Sequence, residues 1–127
     1  MKTVKLEFWG YTWESFKGQI PDSSYIYLIY RGYLDSEGFV KMSQLLYIDY
    51  AIMTELYEST MMSQIKKNLS STDMLFFSYA KVDEDIALDV RNLLINRIPT
   101  PYNQAIPSPN NLVIETSGNC EFVPHNI

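Results

Sequence analysis

The amino-terminal half of the chain carries hydrophobic patterns that predict β-strands. Over residues 2–9 apolar and polar positions alternate, which is the two-residue period of a half-buried strand. Residues 25–31 and 44–50 are two nearly continuous aliphatic and aromatic runs, and the loop predicted between them, 32–43, contains the turn sequence DSEG. Antiparallel pairing of the two runs is the simplest arrangement at this connection length. Residues 11–19 are predicted to form a short helical turn.

The hydrophobic period changes after residue 51, where helices are predicted. One amphipathic helix is expected from residue 51, because apolar side chains recur there at steps of four, at Met53, Tyr57, Met61, Ile65 and Leu69. Residues 74–82 (MLFFSYAKV) predict a buried strand, and an acidic turn then opens a second helix that ends before Pro99. The buried face of that helix is predicted to consist of Ile86, Val90, Leu93, Leu94 and Ile98. Residues 112–115 are a candidate edge strand.

The order of these elements predicts the fold class. A chain of 127 residues is long enough to bury a hydrophobic core in one domain, here spanning residues 1–127. Strands followed by alternating helix and strand predict a small α/β (α+β) sandwich. We expect a central, mainly antiparallel three-stranded sheet with flanking helices.

Composition and charge narrow the classes of function. The net charge of −5 weighs against nucleic-acid binding, which draws most of its affinity from neutralised phosphates, although a local basic patch stays open. No apolar stretch is long enough for a membrane span or a signal peptide. The single cysteine, Cys120, excludes an internal disulfide and suits a reducing compartment. We therefore predict a soluble cytoplasmic protein.

Two strand motifs and two later segments form the most informative pattern. YIY at 25–27 is followed by YID at 47–49, and the predicted helix begins directly after YID. FFSYAKV then leads into a helix that contains VRNLLI and is followed by IPTPYN. In this order, over about residues 15–105, the motifs resemble those of the GIY-YIG nuclease domain family, and a tail of about 106–127 lies beyond the resemblance. The resemblance implies a GIY-YIG-like fold.

The resemblance also implies a set of catalytic residues. The family uses two strand tyrosines, an arginine on the next helix and a helical glutamate that holds a divalent metal. The metal polarises the scissile phosphate, the arginine offsets charge on the phosphoryl group and a tyrosine helps to activate water. Tyr27 and Tyr47 match the two tyrosines, and Asn103 in PYN matches a late asparagine of the family.

Four positions depart from the family pattern. Tyr25 and Asp49 stand where the family has glycines, and Asp49 adds a negative charge beside the implied phosphate site. Tyr57 falls at the arginine position, and Arg91 replaces the metal-binding glutamate. We therefore expect no catalytic residue, no metal site and no cofactor. Arg91 is expected to be either a solvated helix charge or the partner of an acid such as Asp49.

These departures favour a catalytically inactive pseudo-nuclease domain with a binding or regulatory role towards a protein partner. Enzyme activity stays open as an alternative. It would require a metal-dependent nuclease, using Mg²⁺ or Mn²⁺, whose carboxylates have moved to Glu55, Glu58 or Asp49.

Two further alternatives concern partners. A non-cleaving nucleic-acid binder would need a basic patch on one face, formed by Arg31, Lys41, Arg91 and Arg97. A homodimer also stays open, because methionine side chains suit adaptable contact faces and three of them cluster on the first predicted helix, Met53, Met61 and Met62.

Overall fold

Strands and helices of the predicted kinds make up the part of the chain that the structure describes. The structure is a computed structural model that describes residues 2–12, 23–51, 60–103 and 105–118. In chain order the elements are β1 Thr3–Thr12, β2 Tyr25–Leu34, β3 Val40–Ala51, α1 Thr60–Lys67, β4 Met74–Lys81, α2 Ala87–Arg97 and β5 Val113–Gly118. A single 3₁₀ turn, Glu84–Ile86, leads directly into α2. The predicted mixed α/β class is confirmed.

The strands form one curled five-stranded sheet in the order β3-β2-β4-β1-β5. The pairs β2–β3, β2–β4 and β1–β4 are antiparallel, whereas β5 runs parallel to β1. β1 changes its partner along its length, because residues 3–8 pair with β5 and residues 9–12 pair with β4. The three strands that carry the family-like motifs, β2, β3 and β4, are therefore adjacent and antiparallel.

Each face of the sheet packs against one of the helices. The α2 face buries a cluster that includes Leu6, Phe8, Ile26, Leu28, Ile48, Phe76, Val90 and Leu94. The α1 face buries a second cluster that includes Tyr25, Tyr27, Ile29, Leu46, Ile65 and Phe77. Full burial of one such side chain contributes roughly 1.5–3 kcal/mol to folding. β2 is buried on both faces, which explains its nearly continuous apolar sequence.

The prediction of a three-stranded sheet is wrong in its strand count. β1 and β5 extend the sheet beyond β4, so β4 is an inner strand. The candidate edge strand at 112–115 is confirmed as β5, although it begins one residue later and continues to Gly118. β5 is mostly exposed, and one strand of such low hydrophobicity gives little signal in the sequence.

The loop predicted over residues 32–43 is also wrong, because the hairpin is longer than its hydrophobic run. β2 continues to Leu34 and β3 begins at Val40, so the connection spans only residues 35–39. Backbone pairing between the two strands continues beyond the two predicted runs, through Tyr33 opposite Lys41 to Leu34 opposite Val40. The helical turn predicted over 11–19 is wrong at its first two residues, which belong to β1; residues 13–19 lie outside the described part.

The structure agrees with the prediction for the second helix and differs from it at the start of the first. Ala51 belongs to β3, so the first helix does not begin there, and residues 52–59 lie outside the described part. Ile65 of α1 is buried as predicted. α2 ends before Pro99 as predicted and buries Val90, Leu93 and Leu94. No helix in the described ranges is long and apolar enough to cross a membrane.

Candidate functional site

Two neighbouring strands bring the motif residues together on the α1 face of the sheet. Tyr27 of β2 lies opposite Asp49 of β3, and Ile29 lies opposite Tyr47. Directly paired residues of antiparallel strands project to the same face, so the two tyrosines and the aspartate are neighbours. The ring centroids of Tyr27 and Tyr47 are 6.2 Å apart. Three of the residues singled out in the sequence therefore belong to one cluster.

Asp49 is the centre of a polar network at the outer edge of β3. Its Oδ2 accepts a hydrogen bond of 2.7 Å from the Tyr47 hydroxyl. Its Oδ1 accepts a hydrogen bond of 2.8 Å from the Tyr50 backbone N–H. The same Oδ1 lies 3.2 Å from the Nε of Arg91, which reaches it from α2. One carboxylate thus accepts hydrogen bonds from a hydroxyl and a backbone amide and forms an ion pair with a guanidinium.

The contact between Arg91 and Asp49 confirms the ion pair that the sequence suggested. Only about a quarter of each side chain is accessible, 28% for Arg91 and 25% for Asp49, so solvent screens the charges only in part. The Nε–H is not directed at a hydrogen-bond acceptor among the described residues, so the attraction is ionic. The Nη1 of Arg91 donates a 2.9 Å hydrogen bond to Oδ1 of Asn92. The guanidinium is therefore held on two sides.

Asn103 covers the edge of β3 next to this network. Its Oδ1 accepts the backbone N–H of Ile48 and its Nδ2 donates to the Ile48 carbonyl, both at 2.9 Å. The backbone N–H of Tyr102 donates to the Leu46 carbonyl at 3.1 Å, and the Thr100 hydroxyl donates to Oδ1 of Asn103. A side-chain amide thus pairs with an edge strand in the way that a neighbouring strand would. The role that the structure gives Asn103 is structural.

The environment of the two tyrosines disfavours their ionised forms. Burial, then the negative charge of Asp49, raises the pKa of Tyr27 far above its usual value. Burial, then the hydrogen bond to Asp49, raises the pKa of Tyr47 in the same way, and Arg91 offsets only part of each effect. A phenol whose pKa is raised this far is a poor general base near neutral pH.

The described residues contain no group of three histidine, cysteine, aspartate or glutamate side chains that could hold a metal ion. Asp89, two residues from Arg91, is exposed, and its backbone carbonyl accepts a hydrogen bond from Asn110. The alternative ligands Glu55 and Glu58, and Tyr57 at the implied arginine position, lie outside the described part of the chain.

Tyr25, where the family has a glycine, is a core residue. Its side chain is fully buried, and its ring centroid lies 6.1 Å from that of Tyr27 and 6.0 Å from that of Tyr79. The sequence motifs do not indicate Tyr79, although Tyr79 pairs directly with Tyr27 across β2 and β4. The alternation of MLFFSYAKV could have placed it on this face, but only once the register of β4 was known.

A cavity of about 290 Å³ opens beside the network. Its lining combines the cation of Arg91 with Tyr47, Tyr102 and Asn103 and with a short apolar segment that contains Ile106 and Pro107. Asn96 anchors that segment by donating a hydrogen bond of 2.9 Å to the Pro107 carbonyl. Ile106 and Pro107 belong to the tail beyond the family resemblance, for which the sequence predicted no role.

The basic patch considered from the sequence is partly engaged in other contacts. Arg31 donates a 2.9 Å hydrogen bond to Gln44 and lies 4.0 Å from Asp73, and Arg91 is paired with Asp49. Lys41 and Arg97 are exposed. Two of the four cations are thus already matched by polar or acidic groups.

Comparison of the chain with protein-family models, curated proteins and solved structures gives no match.

Proposed function

We propose that this chain is a catalytically inactive GIY-YIG-like domain that acts by binding a protein partner. The observation that carries the proposal is the network of Tyr47, Asp49 and Arg91. It lies among the residues that the resemblance aligns with the catalytic centre. An arginine and an aspartate that neutralise each other offer little net attraction to either a divalent cation or a phosphate.

The tyrosines support the same proposal from a second direction. The family mechanism implies a tyrosine that helps to remove a proton from water. The Tyr47 hydroxyl donates a hydrogen bond to Asp49, and burial raises the pKa of both Tyr27 and Tyr47. In this arrangement the tyrosines act as packing and hydrogen-bonding groups that hold β2 and β3 in register.

A nuclease assay tests the proposal directly. Purified protein is incubated with single- and double-stranded DNA and RNA in the presence of Mg²⁺ or Mn²⁺. We expect no cleavage above that of the Tyr27→Phe, Tyr47→Phe double variant, with Tyr33→Phe as a matched control for loss of a hydroxyl. Cleavage by the wild type and by Tyr33→Phe, but not by the double variant, would contradict the proposal.

A restoration experiment tests the alignment on which the proposal rests. The triple variant Asp49→Gly, Tyr57→Arg, Arg91→Glu puts back the residues that the resemblance implies. We expect it to bind Mn²⁺ in a calorimetric titration in which the wild type gives no heat. Circular dichroism checks that the variant is folded. A folded variant that binds no metal would mean that the positions are wrongly aligned.

A non-cleaving nucleic-acid binder is the second candidate, and one observation favours it. Trp9 is 45% exposed and lies opposite Tyr79 in the β1–β4 ladder. Both rings line a cavity of about 300 Å³ together with Lys5, Lys81 and Glu7. An exposed tryptophan ring and a partly buried tyrosine ring beside lysines suit the stacking of a base and the neutralisation of phosphates.

Fluorescence quenching by a single-stranded oligonucleotide tests this second candidate. Quenching should be lost in Trp9→Phe and kept in Trp13→Phe, and affinity should fall with salt by a slope of about 0.7 for each phosphate contacted. Absence of quenching at low salt would remove the candidate.

A further inference from the structure

The tip of the β2–β3 hairpin exposes three large apolar side chains within seven residues. Phe39 is 62% exposed, Leu34 is 51% exposed and Tyr33 is 43% exposed. The other large apolar side chains of comparable exposure in the described ranges are separated along the chain, at Trp9, Leu88, Ile106 and Val113. Single exposed apolar residues are ordinary, whereas three within one hairpin tip make that tip the strongest candidate for an interaction surface in the described ranges.

The backbone of this tip is held in one conformation. The Oδ1 of Asp35 accepts hydrogen bonds of 2.9 Å from the N–H groups of both Glu37 and Phe39. The N–H of Asp35 donates to the Phe39 carbonyl at 2.9 Å, and the N–H of Gly38 donates to the Asp35 carbonyl at 3.0 Å. Gly38 has a φ of 85°, which side-chain-bearing residues rarely adopt. An ordered tip loses little entropy when a partner binds it.

The exposed side chains point in different directions. Tyr33 and Leu34 are successive residues of β2, so they project to opposite faces of the hairpin. Phe39 lies at the end, in the connection between the strands. A flat partner surface could cover only one of the two faces. The shape therefore requires a partner with a cleft that encloses the tip from both sides.

The charges of the tip indicate the chemistry of that partner. Glu37 is exposed, Asp35 is partly exposed, and the chain has a net charge of −5. Arg31 does not offset these acids, because it faces Asp73 and Gln44, and the exposed Lys41, opposite Tyr33 in the ladder, can offset only one of the two. A lipid bilayer is disfavoured, since the acidic turn would enter it first. A second convex tip cannot enclose the first, which disfavours a homodimer through this surface.

We propose that the hairpin tip, formed by Tyr33, Leu34 and Phe39, is a preformed plug that enters an apolar cleft with a basic rim on a protein partner. This inference rests on the proposed binding function, for which it names the contact surface and the kind of partner. It concerns the end of the β2–β3 ladder that lies away from the pairing of Tyr27 with Asp49.

Site-specific photo-crosslinking followed by affinity measurement tests the proposal. A photoreactive phenylalanine derivative replaces Phe39, Ile106 or Leu88 in the full chain, and each protein is irradiated in an extract of the cells that make it. Ile106 reports on the cavity beside Arg91, and Leu88 is an exposed control on α2. Any protein captured through position 39 is then purified. We expect Phe39→Ser to weaken its binding by about thirtyfold, and Leu88→Ser to change it less than twofold.

The outcomes separate this inference from the proposed function. Capture through position 106 but not 39 would overturn the plug while leaving a binding domain. No capture above the Leu88 control at either position would count against both. Two other results would also overturn the plug. These are Phe39-dependent sedimentation with phosphatidylcholine–phosphatidylserine vesicles, and a Phe39-dependent dimer in analytical ultracentrifugation.

Discussion

The two ends of the β2–β3 ladder use their side chains in opposite ways. Near the end that contains Tyr27 and Asp49, polar groups are matched within the molecule: the Asp49 carboxylate accepts hydrogen bonds from a hydroxyl and a backbone amide and forms an ion pair with a guanidinium. At the hairpin end, the Asp35 carboxylate also accepts hydrogen bonds from backbone amides, but apolar side chains such as Phe39 are exposed to solvent. At the first end the polar groups are paired with one another, whereas the second end leaves apolar surface that a partner could bury. Binding is therefore expected at the hairpin rather than at the tyrosines.

The largest expected effect concerns the end that contains Tyr27 and Asp49. There the protein should lose stability as the pH becomes alkaline. Burial raises the folded-state pKa of Tyr27, Tyr30 and Tyr47 above the value of about 10 expected in the unfolded chain. Their contribution is therefore fully present below about pH 10 and is lost as the pH rises above it. Each tyrosine lowers the free energy of unfolding by about 1.4 kcal/mol per pH unit in that range.

Urea unfolding over a series of pH values measures this loss. The Tyr27→Phe, Tyr47→Phe double variant should have a slope smaller than that of the wild type by about 2.8 kcal/mol per pH unit, because it lacks two tyrosines that each contribute about 1.4 kcal/mol per pH unit. An unchanged slope would show that the two tyrosines are not protected from ionisation by the fold.

The next largest effect concerns the edge of β3. Asn103→Ala removes the partners of both the N–H and the carbonyl of Ile48, which should lower the free energy of unfolding by about 2 kcal/mol. Asn110→Ala is the matched control, since it also removes two hydrogen bonds, an exposed one to the Asp89 carbonyl and a partly buried one from the Leu112 N–H, and it should cost only about 1 kcal/mol. Chemical denaturation gives both values, and equal losses would remove the special role of Asn103.

A smaller effect is expected from the ion pair. Arg91→Met leaves Asp49 without its cation but with its hydrogen bonds from Tyr47 and Tyr50, so the cost should be about 1–2 kcal/mol. Arg97→Met, at an exposed position in the last turn of α2, should change stability by less than about 0.5 kcal/mol. A double-mutant cycle with Asp49→Asn isolates the coupling, and a coupling near zero would mean that the pair does not interact.

The smallest effect on stability is expected at the exposed end. Phe39→Ser removes an apolar side chain that is already 62% accessible, so the free energy of unfolding should change by less than about 0.5 kcal/mol. Thermal unfolding checks this. A loss as large as that of Asn103→Ala would mean that Phe39 is needed for the fold, and the contrast between the two ends would fail.

Sequence patterns predicted the strands whose side chains are buried on both faces and missed the extent of those that are not. The run around Tyr25 to Ile29 is visible because every position is apolar or aromatic, whereas β3 begins directly after a turn sequence in a stretch, VKMSQ, that mixes apolar and polar side chains. β5 is exposed and was anticipated only as a short segment. The full strand order depends on long-range register, which no local pattern contains.

The candidate site was predictable residue by residue but not as a network. Motif order indicated Tyr27, Tyr47, Asp49, Arg91 and Asn103, and the pairing of Arg91 with Asp49 was among the expectations. The use of the Asn103 amide as a substitute strand could not be predicted, because it requires the position of residues 100–103 relative to the free edge of β3. The hairpin tip was missed because a DSEG turn suggests a polar loop, and the exposure of Phe39 depends on where the strands end.

β1 pairs with both β4 and β5, and this affects the order in which the chain becomes structured during synthesis. Its first half pairs with β5, so Thr3 lies opposite Val113, a residue near the other end of the described chain. A nascent chain that lacks β5 exposes this edge of β1 on the ribosome, where another unfinished chain could pair with it. Slow closure of such distant contacts prolongs that interval. The protein is therefore expected to depend on chaperone protection until residues 113–118 have left the ribosomal tunnel.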